Sequence, residues 1–169
     1  MMKEIKFGNI RGLDIQLYRA VEHAVDDIVN NYIDAGGSAV AINPEKIMIA
    51  RGNATIKHIL DDNEIRYADG IGVVKFLSIK TGEKVGRVPG CELWEELMKA
   101  AGKNAIPVYL VGAKEDVLNR TIHSLKNKYN TNVVGFKNGY FRSEDDLISD
   151  ILNSKAKIVT VALGSPRQE

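Results

Sequence analysis

Ile65-Arg66-Tyr67-Ala68-Asp69-Gly70-Ile71-Gly72-Val73-Val74 decides how this chain folds. Ile65 to Ala68 reads as a short extended segment, and Ile71 to about Ile79 reads as a helix that ends near Gly82. Between them a carboxylate, Asp69, is followed at once by Gly-x-Gly. A strand that passes so quickly into a helix is the building step of an α/β sheet, and the turn between them presents chemistry at the strand's carboxyl edge. Three other turns repeat the pattern: Ile42-Asn43-Pro44-Glu45, Arg87-Val88-Pro89-Gly90 and Gly164-Ser165-Pro166-Arg167-Gln168-Glu169.

The rest of the chain reads outward from these turns. Glu4 to Phe7 is expected to be a first strand. A long amphipathic helix should follow, with Leu17, Val21, Ala24, Val25, Ile28 and Tyr32 on its apolar side and Gly36-Gly37 as its stop. Ser38 to Ile42 is a short apolar strand. Asn43 and Pro44 then look like the cap and first position of a helix, and two short helices run through Ile47 to Arg51 and Thr55 to Leu60. Beyond Gly90 lie a helix over Glu92 to Ala101 and a buried strand over Ile106 to Val111, closed by Gly112. The next helix carries Val117, Leu118, Ile122, Leu125 and Tyr129 on its inner side. Val133-Val134 is a short strand, Ser143 caps a helix with three acidic residues in its first turn, and Ile158 to Leu163 is the last strand. Strands alternate with helices throughout, so the expected fold is a single α/β domain, residues 1–169, Rossmann-like, with a mostly parallel sheet covered by helices on both faces.

Bulk properties exclude several classes of function. The 169 residues suffice for one full core. Charge is balanced, with 23 Lys+Arg against 22 Asp+Glu, which argues against a whole-domain attraction to nucleic acid. Cys91 is the only cysteine, so neither an intrachain disulfide nor a four-cysteine zinc site can form. No signal-peptide pattern opens the chain, and no apolar run approaches the roughly 20 residues of a bilayer span, so any membrane contact is expected to be peripheral. The chain stops at Glu169 inside a polar turn, directly after a strand, where a doubly wound domain places a helix; a missing C-terminal segment is expected.

Several residues qualify as site candidates, each with a plainer alternative. Asp69 can serve as a general base or simply cap the following helix. Asn43 can bond a sugar hydroxyl as donor and acceptor, or cap. Arg87 can clamp a diphosphate or carboxylate in bidentate fashion, or belong to a solvated basic loop with Lys80 and Lys84. Gly112, Gly135 and Gly164, read as strand-end glycines, would let backbone approach a phosphate or base, though tight turns need glycine anyway. Tyr140, with Phe141, could flank a base, although packing under a loop is commoner. Gln168 could read a uracil or sugar edge. Cys91 is read as structural, Trp94 as core, and His23, His58 and His123 lack metal spacing. No metal ligands and no cofactor are expected: there is no GxGxxG, GxxxxGK[ST], Asp-x-Asp, GxSxG or HExxH pattern.

Six blocks in order, AINPEKI (41–47), YADGIGVV (67–74), RVPGCELWEELM (87–98), PVYLVGAKEDV (107–117), VVGFKNGYF (133–141) and VTVALGSPRQE (159–169), resemble the WecG/TagA/CpsF family of bacterial glycosyltransferases. The resemblance covers nearly the whole chain. It implies a Rossmann-like α/β fold and metal-independent, inverting transfer of an N-acetylmannosamine-type sugar from a UDP donor to GlcNAc-diphospho-undecaprenol. Within the family the motifs look most like the WecG branch, which transfers N-acetylmannosaminuronic acid in enterobacterial common antigen synthesis. Ala41 stands where the teichoic-acid branch carries a threonine, which favours the uronic acid over neutral N-acetylmannosamine. By the same resemblance Asp69 is the general base, Asn43 helps hold the sugars, Arg87 binds the diphosphate or the donor carboxylate, and Gln168 lines the donor pocket. The resemblance also implies a peripheral position on the cytoplasmic face of the inner membrane, reached through the missing C-terminal tail, and leaves a homo-oligomer open. Two readings compete: a nucleotide-sugar-binding module without catalysis, and a Rossmann oxidoreductase, which lacks its glycine fingerprint.

Overall fold

Residues 5–165, 167 and 168 are described by the computed structural model of the chain. Glu4, where the first strand is expected to begin, and Pro166 and Glu169 of the last turn lie outside the described residues. Strands and helices alternate as the sequence predicts, parallel pairing dominates, and the arrangement is Rossmann-like. The strands form two sheets, one in each of two compact units, Met1–Glu96 and Leu97–Glu169.

The first unit opens with a β-hairpin, β1 (Phe7–Ile10) and β2 (Leu13–Gln16), paired antiparallel. Ile10 faces Leu13, so only Arg11 and Gly12 form the loop, and both take positive φ, 52° and 86°. A two-residue loop with this backbone matches the right-handed strand twist. The hairpin corrects the sequence reading, which began the first strand too early and put Leu17 in the following helix. That helix, α1, starts only at Val21 (Val21–Asp27) and runs on into a π-helical segment, Ile28–Tyr32. Buried Tyr18 donates a hydrogen bond to Asp27 Oδ2, and Asn31 donates to Asp27 Oδ1. The buried carboxylate is thus satisfied on both oxygens.

β3 (Ala39–Ile42) leads through Asn43 to α2 (Pro44–Gly52) and α3 (Ala54–Asp62), then to β4 (Ile65–Ala68) and α4 (Ile71–Thr81), with Gly82 as the left-handed C-cap. The sheet order is β1-β2-β4-β3, so β4 lies between β2 and β3 and parallel to both. β2 and β4 share one Cα pair, Gln16 with Tyr67. The buried Gln16 side chain extends this pairing: its amide donates to the Glu64 carbonyl and accepts from Arg66 N. The core beneath the strands gathers Leu13, Ile15, Val40, Ile42, Leu60, Val73 and Leu77.

α5 (Gly90–Lys103) begins two residues earlier than expected and is followed by the second sheet: β5 (Val108–Gly112), α6 (Glu115–Tyr129), β6 (Val133–Lys137), α7 (Glu144–Ser154) and β7 (Ile158–Ala162). Its order is β6-β5-β7, all parallel, with α6 and α7 packed on β6. Ser143 caps α7 by accepting from Asp146 N, as its position predicts. Trp94 is half-buried rather than core, and Cys91 is exposed rather than packed. Among the described residues no helix is long and apolar enough to cross a membrane.

Candidate functional site

In the first unit the site is assembled from the carboxyl ends of β3 and β4. Ile42 pairs with Ala68, and Asp69 N donates to the Ile42 carbonyl at 2.9 Å, so Asn43 and Asp69 leave adjacent strand ends together. Gly70 has φ 116°, a backbone state that a side chain would strain, and its Cβ position lies 3.3 Å from Pro44 Cδ. The glycine therefore lets the two turns pack against each other.

Asn43 caps α2: its Oδ1 accepts from Lys46 N at 2.8 Å. The plainer reading of this residue holds locally, and its amide nitrogen is left for another partner. Asp69 does not cap α4, since Gly70 is the cap residue and carries no side-chain bond. Its carboxylate meets Arg87 instead. Both Nε and Nη2 of Arg87 approach Oδ1 at 3.2 Å, and Asp69 is about one quarter exposed (24%). Oδ2 and Arg87 Nη1 have no partner among the described residues.

The chain reaches this geometry through residues 85–89. Gly86 N donates to the Tyr18 carbonyl at 2.8 Å, and Val88 N donates to the Ala68 carbonyl at 2.9 Å. The segment is thereby tied between the end of β2 and the end of β4, which sets Arg87 over Asp69. A Cβ at Gly86 would lie 2.1 Å from the Arg19 carbonyl oxygen, so only glycine permits the approach. An open cleft of about 430 Å³ borders Arg87 and is lined by Arg19, Glu22, Gly86, Glu92 and Glu95 among others. It includes neither Asp69 nor Asn43. With carboxylates outnumbering arginines there, it suits an anionic ligand less well than the strand ends do.

Tyr67, one residue before Ala68, escaped the sequence reading. Its side chain is buried (7% exposed), and its hydroxyl has no hydrogen-bond partner among the described residues. Burial first, then the Asp69 carboxylate and the Cys91 thiol, push its pKa up to about 12. The signal in the sequence was its place on the inward face of the strand that ends at Asp69, two residues before the carboxylate.

In the second unit the carboxyl ends of β5 and β7, with the loop after β6, share one edge, because the three strands are parallel. β7 returns to the far side of β5 from β6, the reversal that opens ligand crevices outside strand ends in such sheets. Gly112 and Gly164 lie on this edge with positive φ, 121° and 79°. A Cβ on Gly112 would lie 2.2 Å from the Ala162 carbonyl oxygen, so this glycine serves the close approach of β5 and β7. Gln168 closes its own turn: its Oε1 accepts from Gly164 N at 3.2 Å. Tyr140 presents a ring that is 72% exposed, whereas Phe141 packs toward Tyr109, Val111 and Leu147. Arg167 stacks on Phe141 at 4.9 Å and donates to the Gly139 carbonyl.

Gly135 is not a strand end, contrary to the expectation. β6 runs on to Lys137, and Gly135 sits mid-strand, where a Cβ would lie 2.5 Å from the Tyr109 ring. The glycine makes room for that ring. Among the described residues, no three His, Cys, Asp or Glu side chains gather as a metal site would need.

The sequence was also compared with models of known protein families. The model described as glycosyl transferase, WecG/TagA/CpsF family, matches residues 9–169.

Proposed function

Because the chain belongs to the WecG/TagA/CpsF family of glycosyltransferases, we propose that it transfers an N-acetylmannosamine-type sugar, with inversion and without a metal, from a UDP donor to a GlcNAc-diphospho-lipid. The observation that carries this reading is the Asp69–Arg87 pair beside Asn43 at the ends of β4 and β3. Arg87 engages one carboxylate oxygen and leaves the other for a substrate hydroxyl. In the transfer, Asp69 Oδ2 takes the proton of the acceptor hydroxyl as its oxygen attacks the anomeric carbon. The bond from that carbon to the donor diphosphate breaks, and UDP leaves with the electron pair. A general base of this kind contributes about 10²–10⁴-fold. Arg87 Nη1 faces no competing partner and is assigned to the developing diphosphate charge. The Asn43 amide is assigned to a sugar hydroxyl. In the second unit, taken by itself, the exposed Tyr140 ring is assigned to stacking on a base, and the turn of Gly112, Gly164 and Gln168 to polar contacts with a nucleotide. Gly135 takes no part.

The preferred donor is the N-acetylmannosaminuronate of common-antigen synthesis, on the strength of Ala41 and the motif likeness. The neutral sugar of teichoic-acid synthesis is the second reading. The protein is proposed to act on the cytoplasmic membrane face as a peripheral protein. The test is UDP release by the protein expressed from its complete reading frame, with GlcNAc-diphospho-lipid and either donor. Release with the uronate only is expected. Release with neutral N-acetylmannosamine only would move it to the second reading, and UDP binding without release with either would leave a binding module.

A further inference from the structure

We propose that the first turn of α5 and the Tyr67 hydroxyl together form an oxyanion subsite for a phosphoryl group of a sugar-diphosphate substrate. The class of ligand rests on the glycosyltransferase reading; the subsite rests on three observations. The first intrahelical bond of α5 runs from Leu93 N to the Pro89 carbonyl. The N–H groups of Gly90, Cys91 and Glu92 therefore have no acceptor within the helix, and none elsewhere among the described residues. Pro89, at the cap position, carries no side-chain oxygen to satisfy them, although Asn43, Asn53 and Ser143 cap three other helices. Directly beneath lies the Tyr67 hydroxyl, 3.4 Å from the Cβ position of Gly90. It is 93% buried by the complement of its 7% exposure and bonded to nothing described.

An unpaired buried hydroxyl is destabilising unless it meets a partner. Helix N-terminal N–H groups and a phenolic O–H are all donors, and a phosphoryl oxygen is the acceptor that uses them together. Cys91 and Glu92 are exposed, so the turn is open to solvent on its outer side. Two carboxylates stand nearby: Asp69, which Arg87, three residues before Gly90, already holds, and Glu92 of the turn itself, which is exposed to solvent. Gly90 suits this arrangement because a methyl there would sit over the hydroxyl.

The test is a titration of the protein with inorganic diphosphate, followed by amide NMR shifts of Gly90, Cys91 and Glu92. Parallel titrations with UDP and with a short-chain GlcNAc-diphospho-lipid tell which substrate supplies the phosphoryl group. Saturable shifts at these three amides are expected, with affinity lowered about tenfold in Tyr67→Phe and also in Gly90→Ala. Neither variant should lose thermal stability, since phenylalanine removes an unsatisfied hydroxyl and alanine favours a helix. Unchanged affinity in Tyr67→Phe, or shifts scattered away from this turn, would overturn the proposal. Transfer that persists with unchanged KM in Tyr67→Phe would sink the subsite and leave the glycosyltransferase reading standing. Shifts at the three amides in a protein that releases no UDP from either donor would do the reverse.

Discussion

Asn43 combines two tasks that one substitution can separate. Its Oδ1 caps α2, while its amide nitrogen is offered beside Asp69. Asn43→Ala removes both and should cost about 1 kcal/mol of stability, the usual worth of a cap. Asn43→Asp keeps the cap and replaces the amide donor with a charge beside Asp69. Near-normal thermal stability is expected with a tenfold or greater loss of kcat/KM, read by melting and by UDP release. A parallel fall of both quantities would reduce Asn43 to a cap. Arg87→Lys tests the neighbouring claim. An ammonium cannot present Nε and Nη2 to one oxygen and a third nitrogen elsewhere, so the charge-conserving change should still lower kcat at least tenfold.

At the scale of elements, the segment 85–89 governs where Arg87 stands. Gly86→Ala would drive a methyl into the Arg19 carbonyl, 2.1 Å away, and the backbone must give. A loss of about 2 kcal/mol or more is expected, with activity falling further than in a variant of equal instability placed in the hairpin, such as Gly12→Ala. This is also where legibility in the sequence ends. Elements set by local chemistry were readable: β4 has the expected bounds, Asn43 and Ser143 cap α2 and α7, and Gly82 ends α4. The β1–β2 hairpin was not, because Leu17 continues the apolar spacing of α1 although it belongs to the strand end; the Arg11-Gly12 pair was the overlooked turn signal. β6 was cut short at Gly135, a residue whose reason is the Tyr109 ring on the neighbouring strand. The candidates Asp69, Asn43 and Arg87 were visible as turn residues. Their pairing was not, since it depends on the long-range bonds of Gly86 and Val88 to Tyr18 and Ala68.

Across the molecule, tyrosines tie stability to pH. Burial and neighbouring carboxylates raise the pKa of Tyr18, Tyr67 and Tyr109 above the ordinary phenol value. The fold holds the neutral phenol, so above about pH 10 the folded state keeps protons that the unfolded chain gives up. Stability is therefore complete below about pH 10 and is lost as pH rises from there. For Tyr67, displaced to about 12, that loss amounts to roughly 2–3 kcal/mol. Urea melts at pH 8 and pH 11 should show the decline, and Tyr67→Phe should lessen it. An identical decline in Tyr67→Phe would mean that Tyr67 titrates normally. The sequence conveyed the α/β class through alternation and apolar runs, though not the second hairpin strand, β2. It did not convey the division into two sheets, because strand partners are chosen by packing between distant segments.

The most direct measurement is single-turnover sugar transfer by Asp69→Asn, made with the complete protein, its preferred donor and the lipid acceptor. The nearly isosteric amide can still accept from Arg87 through its Oδ1 but cannot take a proton. An unchanged melting temperature, retained UDP binding and a transfer rate lowered by about 10²–10⁴-fold are expected if Asp69 is the general base. A rate within tenfold of the parent protein would contradict that role and remove Asp69 from the chemistry.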